Sequence, residues 1–153
     1  MAKKVEFQFK SPEESPGYLL GQVTTLWQRK QKKVLDPLDL TQTQFVLLAA
    51  LAWLSRQSDA VTQVDIANQG NADRMMVSKV LRTLEDKKFI GRREHPTDTR
   101  AKVISLTDAG AKVLQKALIA VENCDRAFFA ELGKSLGAYN KQMHALIERN
   151  REE

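Results

Sequence analysis

Between positions 74 and 102 the chain carries nine Lys or Arg residues against four Asp or Glu. That surplus of five equals the formal charge of all 153 residues, so the rest of the sequence is electrically balanced. Val77, Val80, Leu81 and Leu84 follow the i, i+3, i+4, i+7 rule and mark the inward face of a helix. Arg74, Met75, Ser78, Lys79 and Arg82 then project from its other side. An arginine can bond guanine O6 and N7 together, a serine is short enough to reach a phosphate or base edge, and a methionine can touch a thymine methyl. The chemistry on offer is recognition of a polyanion. A charged outer face is also what an ordinary amphipathic helix carries, so its meaning depends on what flanks it.

Upstream, Thr62 with Asp65 three residues on is a helix-start pattern, with Val64, Ile66 and Ala67 as apolar positions. Gly70 and Asn71 supply a turn before the cationic helix, since both residue types tolerate left-handed backbone angles. Downstream, residues 90–94 and 103–106 mirror each other across a loop at 95–102. Ile90, Ile104 and Leu106 are expected on one face of a two-stranded ribbon, leaving Arg92 and Arg93 outward. Pro96 and Asp98 are turn formers, and Arg100 stands near the tip.

A helix-turn-helix followed by a basic hairpin, over residues 62–106, is a device for reading duplex DNA. The helix would supply Arg74, Met75, Ser78, Lys79 and Arg82. The hairpin would supply Arg92, Arg93, Thr97, Asp98, Arg100 and Lys102, with Arg100 suited to a narrow minor groove where the negative potential is strongest. Thr62 and Gln63, at the start of the first helix, are assigned to the DNA backbone.

The remaining chain must position this unit. Val5, Phe7 and Phe9 alternate with polar residues in an N-terminal arm, residues 1–14, that reads as a loose terminus or an extended arm on a partner subunit. Ser15 and Pro16 start a helix whose apolar residues, Leu19, Leu20, Val23, Leu26, Trp27 and Val34, recur until Pro37 ends it. Its cluster Arg29, Lys30, Lys32 and Lys33 reads as a solvated face. Thr41 to Gln44 fits a capping box opening an apolar helix to Leu54, central to the core because it is apolar nearly all round. Trp53 on that helix reads as packing, with a ligand cavity as the alternative. After Thr107, residues Leu114, Ala117, Val121, Cys124 and Phe128 are spaced 3, 4, 3, 4, the seam of a helix packing on another helix. A break over residues 133–137 precedes a last amphipathic helix with Tyr139, Met143, Leu146 and Ile147. This apolar area exceeds what a three-helix winged unit needs. Residues 15–36 and 107–150 therefore read as a helical dimerisation region around a winged helix-turn-helix at 41–106. The fold class expected is mainly α with a small β-wing.

Composition narrows the function classes. A pI near 9.4 favours polyanion partners without separating DNA from RNA or an anionic membrane. No apolar run approaches the roughly 20 residues of a membrane span, and the first ten residues lack a secretory apolar stretch. The single cysteine, Cys124, excludes an internal disulfide framework and fits a reducing cytoplasm. It reads as a packing residue rather than a redox switch. Only His95 and His144 are available, with no Gly-rich phosphate loop, nucleophile motif or metal-ligand spacing, so no enzyme, metal or cofactor is expected. The rival reading is a winged-helix module that binds RNA or protein.

Positions 95–110, HPTDTRAKVISLTDAG, closely resemble the wing signature of the MarR family of bacterial transcription regulators, usually written D-P-x-D-x-R-x-K, a strand, then L-T-x-x-G. Here it stands as Pro96, Asp98, Arg100, Lys102, Leu106, Thr107 and Gly110. The segments LTQTQFVLLAAL, TQVDIANQ and MMVSKVLRTLEDKKFI resemble the family's second, third and fourth helices, and the likeness covers residues 17–150. Two departures stand out: His95 replaces the usual aspartate, and Lys88-Phe89 stands where Gly-Leu is common. The resemblance implies a homodimer of winged helix-turn-helix units on a helical base, binding a pseudo-palindromic double-stranded DNA operator and acting by default as a repressor. By it, the recognition helix at about 73–87 lies in a major groove and Asp98 orients the wing. It also implies release by a small aromatic effector in a cleft between base and winged unit, for which Trp27, Phe45 and Trp53 are the candidates.

Overall fold

The structure, a computed structural model, describes residues 3–151. Met1 and Ala2 of the expected arm lie outside the described residues. The rest of the arm forms no strand: Val5, Phe7 and Phe9 are all exposed, and a short 3-10 turn, Pro12–Glu14, follows.

Helix α1, Pro16–Leu35, begins where the Ser15 hydroxyl accepts the Tyr18 amide and Pro16 fills the first turn. Helix α2, Gln42–Leu54, opens on a capping box: Thr41 Oγ1 accepts the Gln44 amide while Gln44 Oε1 accepts the Thr41 amide. Phe45, Leu47, Leu48 and Leu51 bury around it, so α2 is the axis of the core, as its all-round apolarity requires. Helix α3, Gln63–Gln69, repeats the capping box with Thr62 and Asp65. Ile66 and Ala67 point into the core, but Val64 is exposed, against expectation. A seven-residue helix buries only a narrow stripe, and Val64 lies two positions from Ile66, on the far side.

Helix α4, Arg74–Asp86, is capped by Asp73, whose carboxylate accepts the Met76 amide, and it buries Val77, Leu81 and Leu84. The strands β1, Ile90–Glu94, and β2, Lys102–Leu106, pair antiparallel with Ile90 opposite Leu106 and Arg92 opposite Ile104. Helix α5, Asp108–Phe128, buries Leu114, Ala117 and Val121 of its seam. A 3-10 stretch, Ala130–Ser135, turns at Gly133 (φ 49°, ψ −122°) into α6, Leu136–Arg149. The break therefore lies upstream of the expected 133–137, between the end of α5 at Phe128 and the start of α6 at Leu136, and Gly137 already lies inside α6.

Three connections share one device. Asp39, Asn71 and Lys88 each adopt left-handed angles, and the residue after each donates its amide to a carbonyl five positions back. These are Schellman closures, which satisfy orphan carbonyls at a helix end. None of the three uses glycine; at the turn after α3, Asn71 takes the left-handed position while Gly70 has φ −95°.

Between α1 and α5 a polar clamp adds to the apolar packing that Leu35 shares with Leu114, Ala117 and Val121 in the core cluster. Trp27 Nε1 and Gln31 Nε2 both donate to Asp125 Oδ1, at 2.8 and 2.7 Å. Gln31 is only 1% exposed, so its amide depends on that carboxylate. By contrast Tyr18, Leu19, Leu20, Val23 and Leu26 of α1, and Leu136, Leu146 and Ile147 of α6, face outward uncovered.

Candidate nucleic-acid interface

Apart from Arg100 at the wing tip, the cations of residues 74–102 separate into two groups once their neighbours are known. Lys87 reaches back to Asp39 and donates to Gln44 Oε1 at 3.1 Å, tying the end of α4 to the start of α2. Arg92 faces Glu85 of α4, Nε to Oε2 3.5 Å, and its Nε and Nη2 are shielded from solvent without a hydrogen-bond partner. Arg93 donates to the Asp59 carbonyl at 2.9 Å and so holds the loop before α3. Lys102 lies 3.8 Å from Glu94 across the hairpin. Lys88 occupies the left-handed turn. Arg74, Lys79 and Arg82, all exposed, have no ion-pair partner among the described residues.

That division corrects the expectation that both hairpin arginines point outward. Strand side chains alternate, so Arg92 shares a face with Ile90, Ile104 and Leu106 and turns toward α4. Arg93 projects from the other face. That face is not free either: Val103 opposite Arg93 is buried, because Thr62 bridges to it and the Ile104 amide donates to the Val61 carbonyl at 2.8 Å. Thr62 and Gln63 are half-buried at this junction, with the Thr62 hydroxyl committed to its own cap.

The outward side of α4 is otherwise as its spacing predicts. Met75 is 82% exposed, and Met75, Met76, Lys79, Arg82, Thr83 and Asp86 line an open groove of about 710 Å³. Ser78 is half-buried beside them. An exposed thioether between cations costs hydrophobic free energy in water, which contact with another apolar group would recover. On the wing, the Arg100 side chain is 93% exposed. Asp98 Oδ1 accepts the Arg100 amide at 3.0 Å and lies 3.6 Å from Arg100 Nε, so Asp98 governs both main chain and side chain at the tip. Thr97 is exposed next to it.

The three candidate cleft residues do not meet. Phe45 is packed in the core, and Trp27 is engaged with Asp125. Trp53 is half-exposed rather than packed, and it lines a cleft of about 730 Å³ with Val46, Ala49, Arg56, Gln69 and Leu118. Arg56 lies over its ring, 4.9 Å from the centroid, a cation–π contact that sequence reading missed. The three-residue spacing from Trp53 was the available signal. Among the described residues, no group of three or more His, Cys, Asp or Glu is placed to hold a metal ion, and no helix is long and apolar enough to cross a membrane.

This geometry has close counterparts. The MarR family's sequence model matches residues 40–102, the segment from the start of α2 to the wing. A Bacillus subtilis (strain 168) protein named "Uncharacterized HTH-type transcriptional regulator YdcH" is 46% identical over 123 residues, 80% of this chain and 84% of its own length. The Mycobacterium tuberculosis (strain H37Rv) "HTH-type transcriptional repressor Rv2887" is 28% identical over 76% of this chain and 81% of its own. The crystal structure of an S. aureus MepR–DNA complex superimposes with a TM-score of 0.75 at 30% identity, covering 88% of this chain and 95% of that one. With a relative this similar along most of both chains, and the helix-turn-helix and wing in the same order, this chain belongs to the MarR family.

Proposed function

We propose that this protein is a sequence-specific regulator of transcription that binds a double-stranded DNA operator as a homodimer and acts as a repressor. The observation that carries the reading is the solvent-facing side of α4, where Arg74, Lys79 and Arg82 have no counter-charge within the described protein while Lys87, Arg92 and Lys102 do. Uncompensated cations on one exposed face attract an external polyanion and release its counterions on binding. Met75 and Ser78 between them add base-edge contacts, and Arg100 reaches the adjacent minor groove. The relatives named as a repressor and as a DNA complex support the same direction. The uncovered apolar faces of α1 and α6 are the surface for the second copy. Such a regulator works in the cytoplasm, where a lone Cys124 stays reduced.

The test is operator selection from random duplex DNA, followed by binding measurements across salt. Affinity should fall steeply with salt, and half-sites should lie about 10–10.5 bp apart or a multiple of that. Arg74→Ala and Arg100→Ala should each weaken binding by roughly 1–3 kcal/mol if they reach base edges, with fold and oligomeric state unchanged. Wild-type affinity in both variants, or equal binding to RNA of the same sequence, would overturn the reading.

The cleft beneath Trp53 favours a second element, control by a small aromatic effector. Trp53 offers a stacking face, and Arg56 at its rim offers a counter-charge to a carboxylate. Titration of aromatic acids should change Trp53 emission and weaken operator binding in wild type but not in Arg56→Ala.

A further inference from the structure

His95 opens the wing loop, and its ring is turned back onto the loop it precedes. Its Nδ1 lies 3.2 Å from the Thr97 amide nitrogen and 3.1 Å from the Asp98 amide nitrogen. Both amides can only donate, so Nδ1 must present its lone pair; the Thr97 hydroxyl, 3.4 Å away, can take either role. Nδ1 stands the same number of bonds from the main chain as the Oδ1 of Asp or Asn. Those residues commonly shape turns by accepting an amide two positions on. Here the imidazole performs that task. The next link is Asp98, which accepts the Arg100 amide, and the loop closes where Ala101 donates to the Asp98 carbonyl and His95 donates to the Ala101 carbonyl. Two ion pairs belong to the same hairpin end, Arg100 with Asp98 and Lys102 with Glu94.

We propose that His95 is a positioning residue for the wing: a neutral imidazole, protonated on Nε2, whose Nδ1 gathers the Thr97 and Asp98 amides and so sets the loop that carries Arg100. The order of control runs from His95 through Asp98 to Arg100. An imidazole with a proton on Nδ1, in either the other tautomer or the cation, would set N–H against two N–H groups and release the loop. The role in DNA binding rests on the reading of Arg100 as a DNA contact, whereas the tautomer and the loop geometry do not.

The experiment has two arms. In the free protein at about pH 8, where an ordinary imidazole is neutral, long-range nitrogen–proton NMR should show the Nε2–H tautomer for His95. Amide exchange at Thr97 and Asp98 should accelerate about tenfold in His95→Ala, as expected for the loss of one net hydrogen bond. His95→Asn, which restores an acceptor at the same reach, should return it to the wild-type rate. An Nδ1–H tautomer, or unchanged exchange in His95→Ala, overturns the proposal. In the second arm, His95→Ala should weaken operator binding by about five- to tenfold while His95→Asn stays close to wild type. Equal loss in both variants overturns the positioning role. Wild-type affinity in Arg100→Ala would instead remove the DNA reading of the wing, and the NMR arm distinguishes that failure from this one.

Discussion

Gly110 in the first turn of α5 sits directly against the main chain of Phe89: a Cβ on it would lie 2.0 Å from the Phe89 carbonyl oxygen and 2.9 Å from its carbon. The same oxygen accepts the Thr107 amide at 3.1 Å, while the Thr107 hydroxyl donates to the Lys88 carbonyl at 2.7 Å and accepts the Gly110 amide at 3.0 Å. The segment leaving α4 is thereby fastened to α5, the helix that follows the hairpin. Close approach is the reason for glycine here, not a left-handed backbone angle.

Gly110→Ala should therefore lose at least about 2–3 kcal/mol, at the upper end of overpacking costs, because the clashing atoms belong to main chain and cannot rotate away. Denaturant unfolding checks this. A midpoint equal to wild type would mean that α5 does not dock as tightly as described.

Lys88 invites the opposite change. Its φ of 65° places a β-carbon in the left-handed region at the end of α4, where glycine carries no steric penalty. Lys88→Gly should stabilise the fold by roughly 0.5–1 kcal/mol, part of the left-handed penalty being offset by the greater freedom of the unfolded chain. The melting temperature should rise by a few degrees, roughly 2–4 °C per kcal/mol for a chain of this size. A fall would show that the Lys88 side chain contributes more than its backbone strain costs.

The clamp between α1 and α5 predicts a graded pair of variants. Asp125→Ala leaves the Trp27 indole and the buried Gln31 amide without their acceptor, at a cost of about 1–3 kcal/mol for each donor left dry. Asp125→Asn keeps one oxygen and should cost less. Thermal melts rank the two, and Trp27 emission should shift to the red as the helices part. Equal stability of all three proteins would show that the clamp is bridged by water.

Leu20 of α1 and Leu146 of α6 are 67% and 65% exposed, and each stands among further uncovered apolar residues of its own helix, the kind of patch that marks an interface. Leu20→Glu and Leu146→Glu should give monomers in sedimentation experiments while each monomer keeps its helix content. Operator affinity should drop with the dimer, since linked half-sites multiply affinity through effective concentration. Persistent dimers in both variants would place the interface elsewhere.

Much of this molecule was legible in its order of residues, and the legible part is the local part. Both capping boxes, the proline start of α1, the buried stripe of α4 and the hairpin pairing depend on residues a few positions apart, whose interactions are fixed by helical or extended geometry. The exposed set on α4 followed from the same periodicity. Partners distant in sequence were not legible. No spacing rule reveals that Arg92 turns in toward Glu85, that Arg93 is taken by the Asp59 carbonyl, or that Arg74, Lys79 and Arg82 find no ion-pair partner among the described residues. Nor does periodicity separate Phe45, Trp27 and Trp53 into core, clamp and cleft, because each sits on an apolar stretch. A cation's role depends on which charge the folded chain brings within a few ångströms of it. That distance is set by how α4, the wing and α2 pack, a property of all three together and of none alone.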